Sequence, residues 1–423
     1  MGAVWRLQSL PRHRVSTLTD RATPSTPQAA GSAIRAIALL ATATFAAQAM
    51  VRSTDSLLPQ IAADLDATVG ATSMIVTLYM LAHGSVQLVI GPLGDRFGKY
   101  LCVTLAAGFA ALMVAACGLA TTLPALVAAR LACGIATGWI VPLAMAFIGD
   151  VIPMERRQQV LGTFLSGQIL GQLFGQAASG VLGDYFGWRN VFFILAALLA
   201  VSALLLAIEL IRNPITRAGK ASGAAGPGFV EGYRIVWSSS WARTIVFAGF
   251  IESAAVFSAL TYIGAYLHSR YDLSFTLVGL FVGVFAIGGL AYSLSVRKLV
   301  RWLGQIGLTR AGGVMLCASF LLLAFTPWFW LAPFATFGIG LGFYMLHNTL
   351  QVYATQMTPP ARGTAVAMFS SALYFGQTAG VAVFALIYDR FTAVPVFVIA
   401  AVMLLSLGFF ISRQLQCRAA QGL

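Results

Sequence analysis

Three ionisable residues interrupt long apolar stretches and are the residues best placed to do chemistry there. Asp55 lies near the end of the first apolar stretch, Arg130 lies within the fourth, and Glu252 lies well inside the seventh. A charged group in such a stretch is costly unless it meets an opposite charge or water. Asp55 and Glu252 are therefore candidate carriers of a proton, and Arg130 implies an acidic partner.

A histidine in the tenth apolar stretch is a fourth candidate, because an unperturbed imidazole titrates near physiological pH. His347 is followed by Asn348 and Gln351, and three polar residues so close together indicate a cavity lining. The alternative for His347 is a bond to a neighbouring helix. The alternatives are a structural salt bridge or hydrogen bond for Glu252, and solvation at the outer rim for Asp55.

A short charged segment, GPLGDRFGKY, separates the second and third apolar stretches. It places Asp95, Arg96 and Lys99 where the chain turns, while Gly91 and Gly98 allow a tight turn and close helix approach. The aspartate can accept from backbone N–H groups and pair with a basic residue across helix ends. A topological charge anchor is the alternative role.

The composition is that of a membrane protein. Of 423 residues, 59% are apolar and 9% are charged, and the mean hydropathy is +0.85. Soluble proteins carry about a quarter charged residues. A bilayer must therefore act as the solvent for most of this chain, and about 20 apolar residues make one helical crossing.

Apolar runs broken by charge, Gly or Pro predict an all-α membrane protein with twelve crossings, numbered here along the chain. The predicted crossings are 36–58, 71–91, 101–119, 123–148, 159–183, 190–211, 243–267, 275–294, 308–326, 329–355, 363–387 and 393–412. Their spacing predicts two six-helix bundles, 34–212 and 243–413, joined by a cytoplasmic linker at 213–242 with a short surface helix at 229–238.

The distribution of Lys and Arg predicts that both termini are cytoplasmic. In that orientation most of the 26 basic residues lie inside, and the outer loops keep Arg189, Arg270 and Arg390. A basic face against anionic lipid headgroups accounts for the net charge of +13 without nucleic acid. We expect a monomer in a bacterial inner membrane, with a small-molecule substrate and the lipid bilayer as its partners.

Two tails and five cysteines complete the chain. Residues 1–33 are rich in Arg, Ser and Thr and are expected to form a disordered cytoplasmic tail, with a wrongly assigned start or a transit peptide as alternatives. Residues 414–423 form the second tail. The cysteines show neither metal-ligand nor disulfide spacing and are predicted to be small apolar fillers. They are Cys102, Cys117, Cys133, Cys317 and Cys417. No metal and no cofactor is expected beyond the proton as coupling ion.

An internal repeat supports the two bundles. At a fixed offset of 205 residues, Arg157 pairs with Arg362 and Asp184 pairs with Asp389. Further identities in the same frame are Phe164 with Phe369, Ser166 with Ser371, Gly171 with Gly376, Gln172 with Gln377 and Gly175 with Gly380. Crossings 5 and 11 are therefore counterparts. Duplicated halves with parallel repeats are a known transporter plan, with the substrate held between the halves.

The charged segment resembles the loop 2–3 signature of the major facilitator superfamily, G-x-L-x-D-R-x-G-R/K-R/K. It matches at Gly91, Leu93, Asp95, Arg96, Gly98 and Lys99 and departs at Tyr100, where a second basic residue is usual. The resemblance covers 34–413 and implies two pseudo-symmetric bundles. In the family this loop is thought to latch the cytoplasmic side. Arg157 and Arg362 resemble family charges at helix ends, so we expect these residues to act in gating.

Two further elements resemble the drug:proton antiporter branch of that family. The run from Arg130 to Ala136 is similar to R-x-x-Q-G-x-G/A, with Cys133 at the usual Gln, and Asp55 to Pro59 resembles D-x-x-x-P. In that branch the arginine is implicated in proton coupling, often opposite an acid of helix 1. The resemblance thus implies that Arg130 faces Asp55. Arg52, one turn before Asp55, could compete for it.

Crossing 5 departs from the exporter pattern. Exporters of the family typically carry Gly-x-x-x-Gly-Pro-x-x-Gly-Gly in this crossing. The chain keeps three of these glycines, Gly171, Gly175 and Gly180, but Gln176 replaces the proline and Ser179 replaces the remaining glycine. This departure favours the alternative of an uptake symporter or uniporter for a small metabolite. Glu209, near the inner end of crossing 6, is expected to snorkel to the membrane surface.

The predicted cavity has apolar walls with a few amides and phenols, which suits lipophilic or amphiphilic ligands. Its expected lining residues are Tyr79, Gln87, Gln168, Gln172, Tyr262, Tyr344, Asn348, Gln351, Tyr374 and Gln377. We therefore predict a secondary active transporter that exports such compounds in exchange for protons. An enzyme is not expected, because the chain has no P-loop, no H-E-x-x-H and no catalytic constellation.

Overall fold

The computed structural model describes residues 27–217 and 229–421, and these ranges contain helices and no strand. Of the expected tail over 1–33, residues 1–26 lie outside the described residues, as does the middle of the expected linker, 218–228, whereas residues 27–33 are helical. The last helix likewise continues through residue 420, into the second expected tail at 414–423. The helices are α1 (Pro27–Arg52), α2 (Leu58–Asp64), α3 (Val69–Thr72), α4 (Met74–Phe97), α5 (Lys99–Leu119), α6 (Leu123–Thr137), α7 (Ile140–Val151), α8 (Met154–Phe186), α9 (Trp188–Arg212), α10 (Phe229–Ser238), α11 (Ser240–Tyr271), α12 (Phe275–Phe325), α13 (Ala332–Ala354), α14 (Arg362–Phe391) and α15 (Ala393–Ala420).

Ten of the described segments are long and apolar enough to cross a bilayer. Predicted crossings 8 and 9 fall together in α12, whose 51 residues include a backbone break at Gly304, where φ is 61°. Glycine adopts this left-handed conformation without the strain that a Cβ brings. Helix α8, the predicted fifth crossing, has 33 residues but is not among the ten, because Gln168, Gln172 and Gln176 make it less apolar.

Serine and threonine caps set where several helices begin. The Thr122 hydroxyl accepts from the backbone N–H of Ala125 at the start of α6, and Ser274 accepts from Leu277 at the start of α12. Such caps satisfy backbone donors that have no partner within the helix. They place the chain reversals at the helix ends and leave the helix interiors to pack through small residues.

The repeat predicted from sequence recurs in the packing of the helices. Gly175 of α8 lies against the backbone of Ala49 in α1, and Gly380 of α14 lies against the backbone of Ala254 in α11. Both residues of the second contact are offset from the first by the same 205 residues. Small residues at these crossings let the two backbones approach closely. The two halves are therefore built on the same helix contacts.

We call the end of the helices at which α1 begins the near face and the end at which α1 finishes the far face. At the far face, Asp184 at the end of α8 accepts from the backbone N–H groups of Phe275, at 3.0 Å, and Thr276. Asp389, its repeat counterpart at the end of α14, accepts from the Gly70 N–H at 2.9 Å and the Thr68 hydroxyl at 2.6 Å.

These two sets of bonds form what we call the far-face clasp. Each aspartate belongs to one half and binds the first turn of a helix in the other half, where exposed N–H groups favour a negative charge. The clasp therefore joins the halves at the far face.

At the near face, ion pairs join helices of the same half. Glu209 was expected to snorkel, and this prediction is wrong: its side chain is 5% exposed and lies 2.9 Å from Nε of Arg35. Asn213 also donates to Glu209, at 2.6 Å. The buried carboxylate thus ties the end of α9 to the start of α1.

The cysteines are free thiols, and two of them are closer than their spacing in sequence indicated. The sulfur atoms of Cys117 in α5 and Cys133 in α6 lie 3.8 Å apart, and both side chains are buried. They pack two neighbouring helices of the same half together.

The glycine contact between α1 and α8 generates a stability prediction. A Cβ added at Gly175 would collide with the Ala49 carbonyl oxygen, whereas one added at Gly162 of the same helix meets nothing within 4 Å. We expect Gly175→Ala to lower the free energy of unfolding by about 1–3 kcal/mol and Gly162→Ala to leave it almost unchanged. Heating in detergent followed by size-exclusion chromatography measures both. Equal loss of folded protein in the two variants would contradict the contact.

Candidate functional site

The interior of the helical assembly contains four buried charged side chains away from the near face. They are Arg52, Asp55, Arg130 and Glu252, with exposed fractions of 4%, 1%, 0% and 0%. Among the described residues, the other buried charged side chains are Lys99 and Glu209, which lie at the near face. Because an ionised group is costly in an apolar interior, the surroundings of these four residues decide what the site can do.

Asp55 lies in the turn between α1 and α2, and Arg52 is the arginine beside it. The distance from a guanidinium NH of Arg52 to Oδ2 of Asp55 is 3.6 Å. Neither carboxylate oxygen has a well-formed hydrogen bond, although the Gln176 side chain is also near. A buried carboxylate with so few bonds is well suited to change its protonation state.

Arg130 does not form the direct ion pair with Asp55 that the sequence implied. Its guanidinium lies 4.2 Å from the centre of the Tyr79 ring and donates to the backbone carbonyls of Ile75 and Met50, at 3.3 and 3.4 Å. Met50 belongs to α1, so crossings 1 and 4 do adjoin. Arg52, on the helix turn before Asp55, lies closer to the carboxylate than Arg130 does.

In the second half, Glu252 and His347 form a pair. Nδ1 of His347 lies 2.8 Å from Oε2 of Glu252, which joins the middle of α11 to α13. The glutamate is fully buried, while the histidine side chain remains 13% exposed. The histidine therefore lies between the buried carboxylate and the exposed side of the pair.

An aromatic wall connects the two charged clusters. The Arg52 guanidinium lies over the ring of Phe257, 4.1 Å from its centre, although the two residues belong to different halves. Phe257 contacts Phe343 with 4.8 Å between ring centres, and Phe343 stacks on His347 at 4.7 Å. We call Phe257 and Phe343, with the adjacent Tyr344, the aromatic wall. Motion of one half against the other would alter the contact with Arg52.

The glutamines of α8 lie on one side of that helix, four residues apart. Gln172 donates to the Gln48 side chain of α1 at 3.2 Å, and Ser56 donates to the backbone carbonyl of Gln176 at 2.9 Å. Gln168, one turn toward the near face, is partly exposed. This side of α8 is therefore polar from the near half of the helix up to Asp55.

The remaining predicted lining residues divide into two groups. The Tyr262 hydroxyl oxygen lies 2.9 Å from both the Ser73 hydroxyl and the Val381 carbonyl oxygen, and Tyr79 bonds Thr137 at 2.6 Å, so these phenols are occupied by protein contacts. Asn348 donates to the Tyr292 hydroxyl at 2.8 Å. The others are Gln87 and Gln377, which are buried, Tyr344 and Tyr374, which are partly exposed, and Gln351, which is exposed.

A second histidine belongs to this region and was missed from the sequence. His83 of α4 is 2% exposed and lies with its ring centre 4.4 Å from that of Tyr374, across the boundary between the halves. Its Nδ1 is 3.3 Å from the Thr137 hydroxyl. The rule that selected His347, an imidazole within a crossing, would also have selected His83.

The charged segment is helical up to Phe97 in α4 and again from Lys99 in α5, so the expected turn is confined to Gly98, and the segment makes contacts within the first half. Lys99 pairs with Asp150 at 2.5 Å, and Arg157 donates to the carbonyls of Gly149 and Ile152. Arg96 is exposed. The helix ends at Gly98, whose φ is 97°. The remaining gating candidates are Gly91, which lies within α4, Arg362, which is exposed at the start of α14, and Asp95, whose side chain lies outside the described part of the structure.

Comparison with known proteins identifies relatives of the whole assembly. Residues 40–356 match the Major Facilitator Superfamily. Over 339 residues the chain is 25% identical to the uncharacterized MFS-type transporter YceJ of Bacillus subtilis, covering 79% of this chain and 84% of the relative. It is 21% identical over 317 residues to Multidrug resistance protein 1 of the same organism, covering 74% and 80%.

The fold is also found among solved structures. That of the nucleoside transporter NupG superposes with a TM-score of 0.73 over 89% of this chain and 97% of NupG, at 15% sequence identity. Identity at this level supports the fold and not the ligand.

The Glu252–His347 pair predicts strong coupling between two substitutions. Because removing one partner leaves the other buried without its bond, we expect Glu252→Gln and His347→Gln each to lower thermal stability. The variant with both substitutions should be no less stable than the less stable of the two single variants. The two losses of stability should therefore fall short of adding up by a coupling energy of about 1–3 kcal/mol. Unfolding of the purified variants in one detergent measures the cycle.

The matched control combines His347→Gln with Glu231→Gln, since Glu231 is an exposed acid on α10. Those two effects should add. Additive effects for Glu252 and His347 themselves would show that the pair contributes nothing to stability.

Proposed function

The chain belongs to the major facilitator superfamily, and from this membership we propose that it is a secondary active transporter that exports lipophilic or amphiphilic compounds in exchange for protons. The observation that carries the proposal is the burial of two acids, Asp55 and Glu252, each beside a basic group in a membrane protein made of two matching halves. Ionisable groups in such positions serve as proton sites in transporters.

The proposed topology has twelve crossings with both termini in the cytoplasm. Two features support the count: α12 is long enough for two passes and breaks at Gly304, and α8 is long enough for one. The near face would then be cytoplasmic, which agrees with the concentration of Lys and Arg at that end. A bacterial inner membrane is the proposed location.

We propose that the structure represents the inward-facing state of an alternating-access cycle. The far-face clasp and the hydrogen bonds of Tyr262 hold the halves together at the outer end. Outward opening requires these bonds to break and the close approach of Gly180 to the α12 backbone to separate, while the glycine contacts inside each half persist. The halves would therefore move as bodies around the buried charges between them.

Protonation gives this motion a coupling step. When Asp55 takes up a proton, its attraction for Arg52 is lost, and Arg52 contacts Phe257 of the other half. Protonation at Glu252 likewise changes its bond to His347. The first event alters a contact between the halves, that of Arg52 with Phe257. The second reaches the same boundary through Phe343, which stacks on His347 and contacts Phe257. Proton binding and the direction of opening are therefore linked.

Uptake by a proton symporter or a uniporter is the second candidate, and one feature favours it. Exporters of the resembled branch carry a proline in crossing 5, whereas α8 has Gln176 and runs as a single helix from Met154 to Phe186. The relatives include a protein named for multidrug resistance, and a nucleoside transporter shares the fold. Direction must therefore be measured.

Proton exchange can be tested in everted membrane vesicles that carry the chain. We expect addition of a transported lipophilic dye to a vesicle with an imposed pH gradient to release protons, followed with a pH-sensitive fluorophore. Asp55→Asn and Glu252→Gln should abolish release or dye binding, because each removes an interior proton site. Glu231→Gln, at an exposed acid of α10, is the control and should behave as wild type.

If no dye of a broad panel causes a pH change with the wild-type protein, the proposal of proton coupling is refuted. Full exchange activity in both Asp55→Asn and Glu252→Gln would remove these residues as proton carriers.

The far-face clasp predicts a shift in conformation when its charges are removed. Each aspartate that binds the first turn of a helix stabilises the closed far face by about 1 kcal/mol. Asp184→Asn combined with Asp389→Asn should therefore raise the outward-open population about tenfold or more. The reporter is a cysteine at Ser53, which is fully buried, in a Cys417→Ser background, labelled with an impermeant maleimide from the outer side. We expect labelling to become several-fold faster.

Asp64→Asn provides the matched control, because Asp64 is a far-face acid whose partner, Arg189, lies in the same half. Its labelling rate should equal that of wild type. Unchanged labelling in the Asp184 and Asp389 double variant would show that the clasp does not hold the outer end closed.

A further inference from the structure

The buried interior of the first half carries more positive charge than its acids can balance. Arg52 and Arg130 are both buried beside a single acid, Asp55. In the second half, Glu252 is engaged by His347. Among the described residues, the remaining acids lie near the ends of the helices or outside them. Two guanidinium groups therefore share one carboxylate, and a buried cation without a full partner is costly.

Arg52 is the arginine whose position suits a ligand between the halves. Arg130 is enclosed by its own half, where it lies on Tyr79 and bonds two backbone carbonyls, although one of its NH groups also lacks a partner. The Arg52 guanidinium instead crosses the boundary to Phe257, and one of its NH groups has no hydrogen-bond partner and lies 3.6 Å from Asp55. Tyr344 and Tyr374, both partly exposed, lie within its electrostatic reach.

We propose that the transported ligand is an anionic amphiphile, whose carboxylate or similar anionic group binds Arg52 and whose apolar body lies along the aromatic wall. A planar guanidinium matches a carboxylate with two parallel hydrogen bonds. Phe257, which is partly exposed, supplies an apolar surface beside this guanidinium, and the buried Phe343 packs against it and extends the wall toward His347. The inference rests on the transporter function proposed above and narrows its substrate class.

The same geometry disfavours a cationic ligand. The face of Phe257, where a cation would bind best, is already covered by Arg52. Asp55 is shared by two arginines, and Glu252 is fully buried behind its contact with His347. A cation placed against the aromatic wall would therefore meet an excess of positive charge, which costs affinity. A neutral ligand would gain the apolar contact with the aromatic wall but would leave the charge of the Arg52 guanidinium without an anionic partner.

Three probes with one ring system test the ligand charge directly: 2-naphthoate, 2-naphthylmethanol and 2-naphthylmethylammonium. Their binding is measured by titration calorimetry on the purified full-length protein in lipid nanodiscs at neutral pH. Since a hydrogen-bonded charge pair differs from an unpaired group by about tenfold or more in affinity, we expect the naphthoate to bind at least tenfold more tightly than the alcohol and the ammonium compound. Equal or tighter binding of either, or no binding of the naphthoate, would overturn the proposal.

Variants then assign the anion to Arg52. Arg52→Gln should lose at least tenfold in naphthoate affinity, and Arg52→Lys, which keeps the charge, should lose less. Arg189→Gln is the control, because Arg189 is a partly exposed arginine that also lies over an aromatic ring, that of Trp188. A folded Arg52→Gln protein with wild-type naphthoate affinity would refute the site. If Arg52→Gln does not fold, Phe257→Leu is tested in its place. This variant should bind naphthoate more weakly, because it removes an aromatic ring of the wall.

These experiments distinguish failure of the proposed substrate class from failure of the proposed transport function. Proton-coupled transport of neutral or cationic dyes without naphthoate binding would refute the anionic class and leave the transporter proposal standing. Naphthoate binding without movement across the membrane of reconstituted vesicles would support the class and contradict transport.

Discussion

The cost of a charge in an apolar interior is the constraint on which the rest of this structure depends. Asp55 lies with Arg52 and near Arg130 in the first half, and Glu252 lies with His347 in the second. Neither cluster is closed: the Asp55 oxygens lack well-formed hydrogen bonds, and one Glu252 oxygen has no partner. Such groups respond to protonation, hydration or a ligand, which is the behaviour that coupled transport requires.

In the proposed transport cycle, the packing of the helices turns that local response into a movement. Within each half, glycines bring helix backbones into contact, as Gly175 does with Ala49 and Gly380 with Ala254. Between the halves, the far face is held by hydrogen bonds to the side chains of Asp184 and Asp389 and by the close approach of Gly180 in α8 to the backbone of α12. Polar bonds can exchange with water when the halves separate, whereas the close-packed contact at Gly180 must come apart.

Much of the fold follows from sequence because it rests on local patterns. The family membership was identified correctly, and each of the twelve apolar windows is mainly helical, although 53–57 at the end of the first form a turn and α12 runs through two of the windows. What could not be predicted depends on long-range geometry. Glu252 and His347 are 95 residues apart, and no periodicity indicates that they meet. Arg52 lies closer to Asp55 than Arg130 because of where α1 ends. Glu209 is buried because Arg35 and Asn213 reach it.

The central claim is that protonation of the interior acids changes which face is open. Spin-label pairs placed across the near face and across the far face, measured by double electron–electron resonance in lipid nanodiscs without substrate, test it without knowledge of the ligand. Between about pH 5.5 and about pH 8.5, a range that spans carboxylate and imidazole titration, the account predicts that the two distance distributions change in opposite directions. It also predicts that this change is lost when Asp55→Asn is combined with Glu252→Gln. Identical distributions at both pH values in wild type would contradict it.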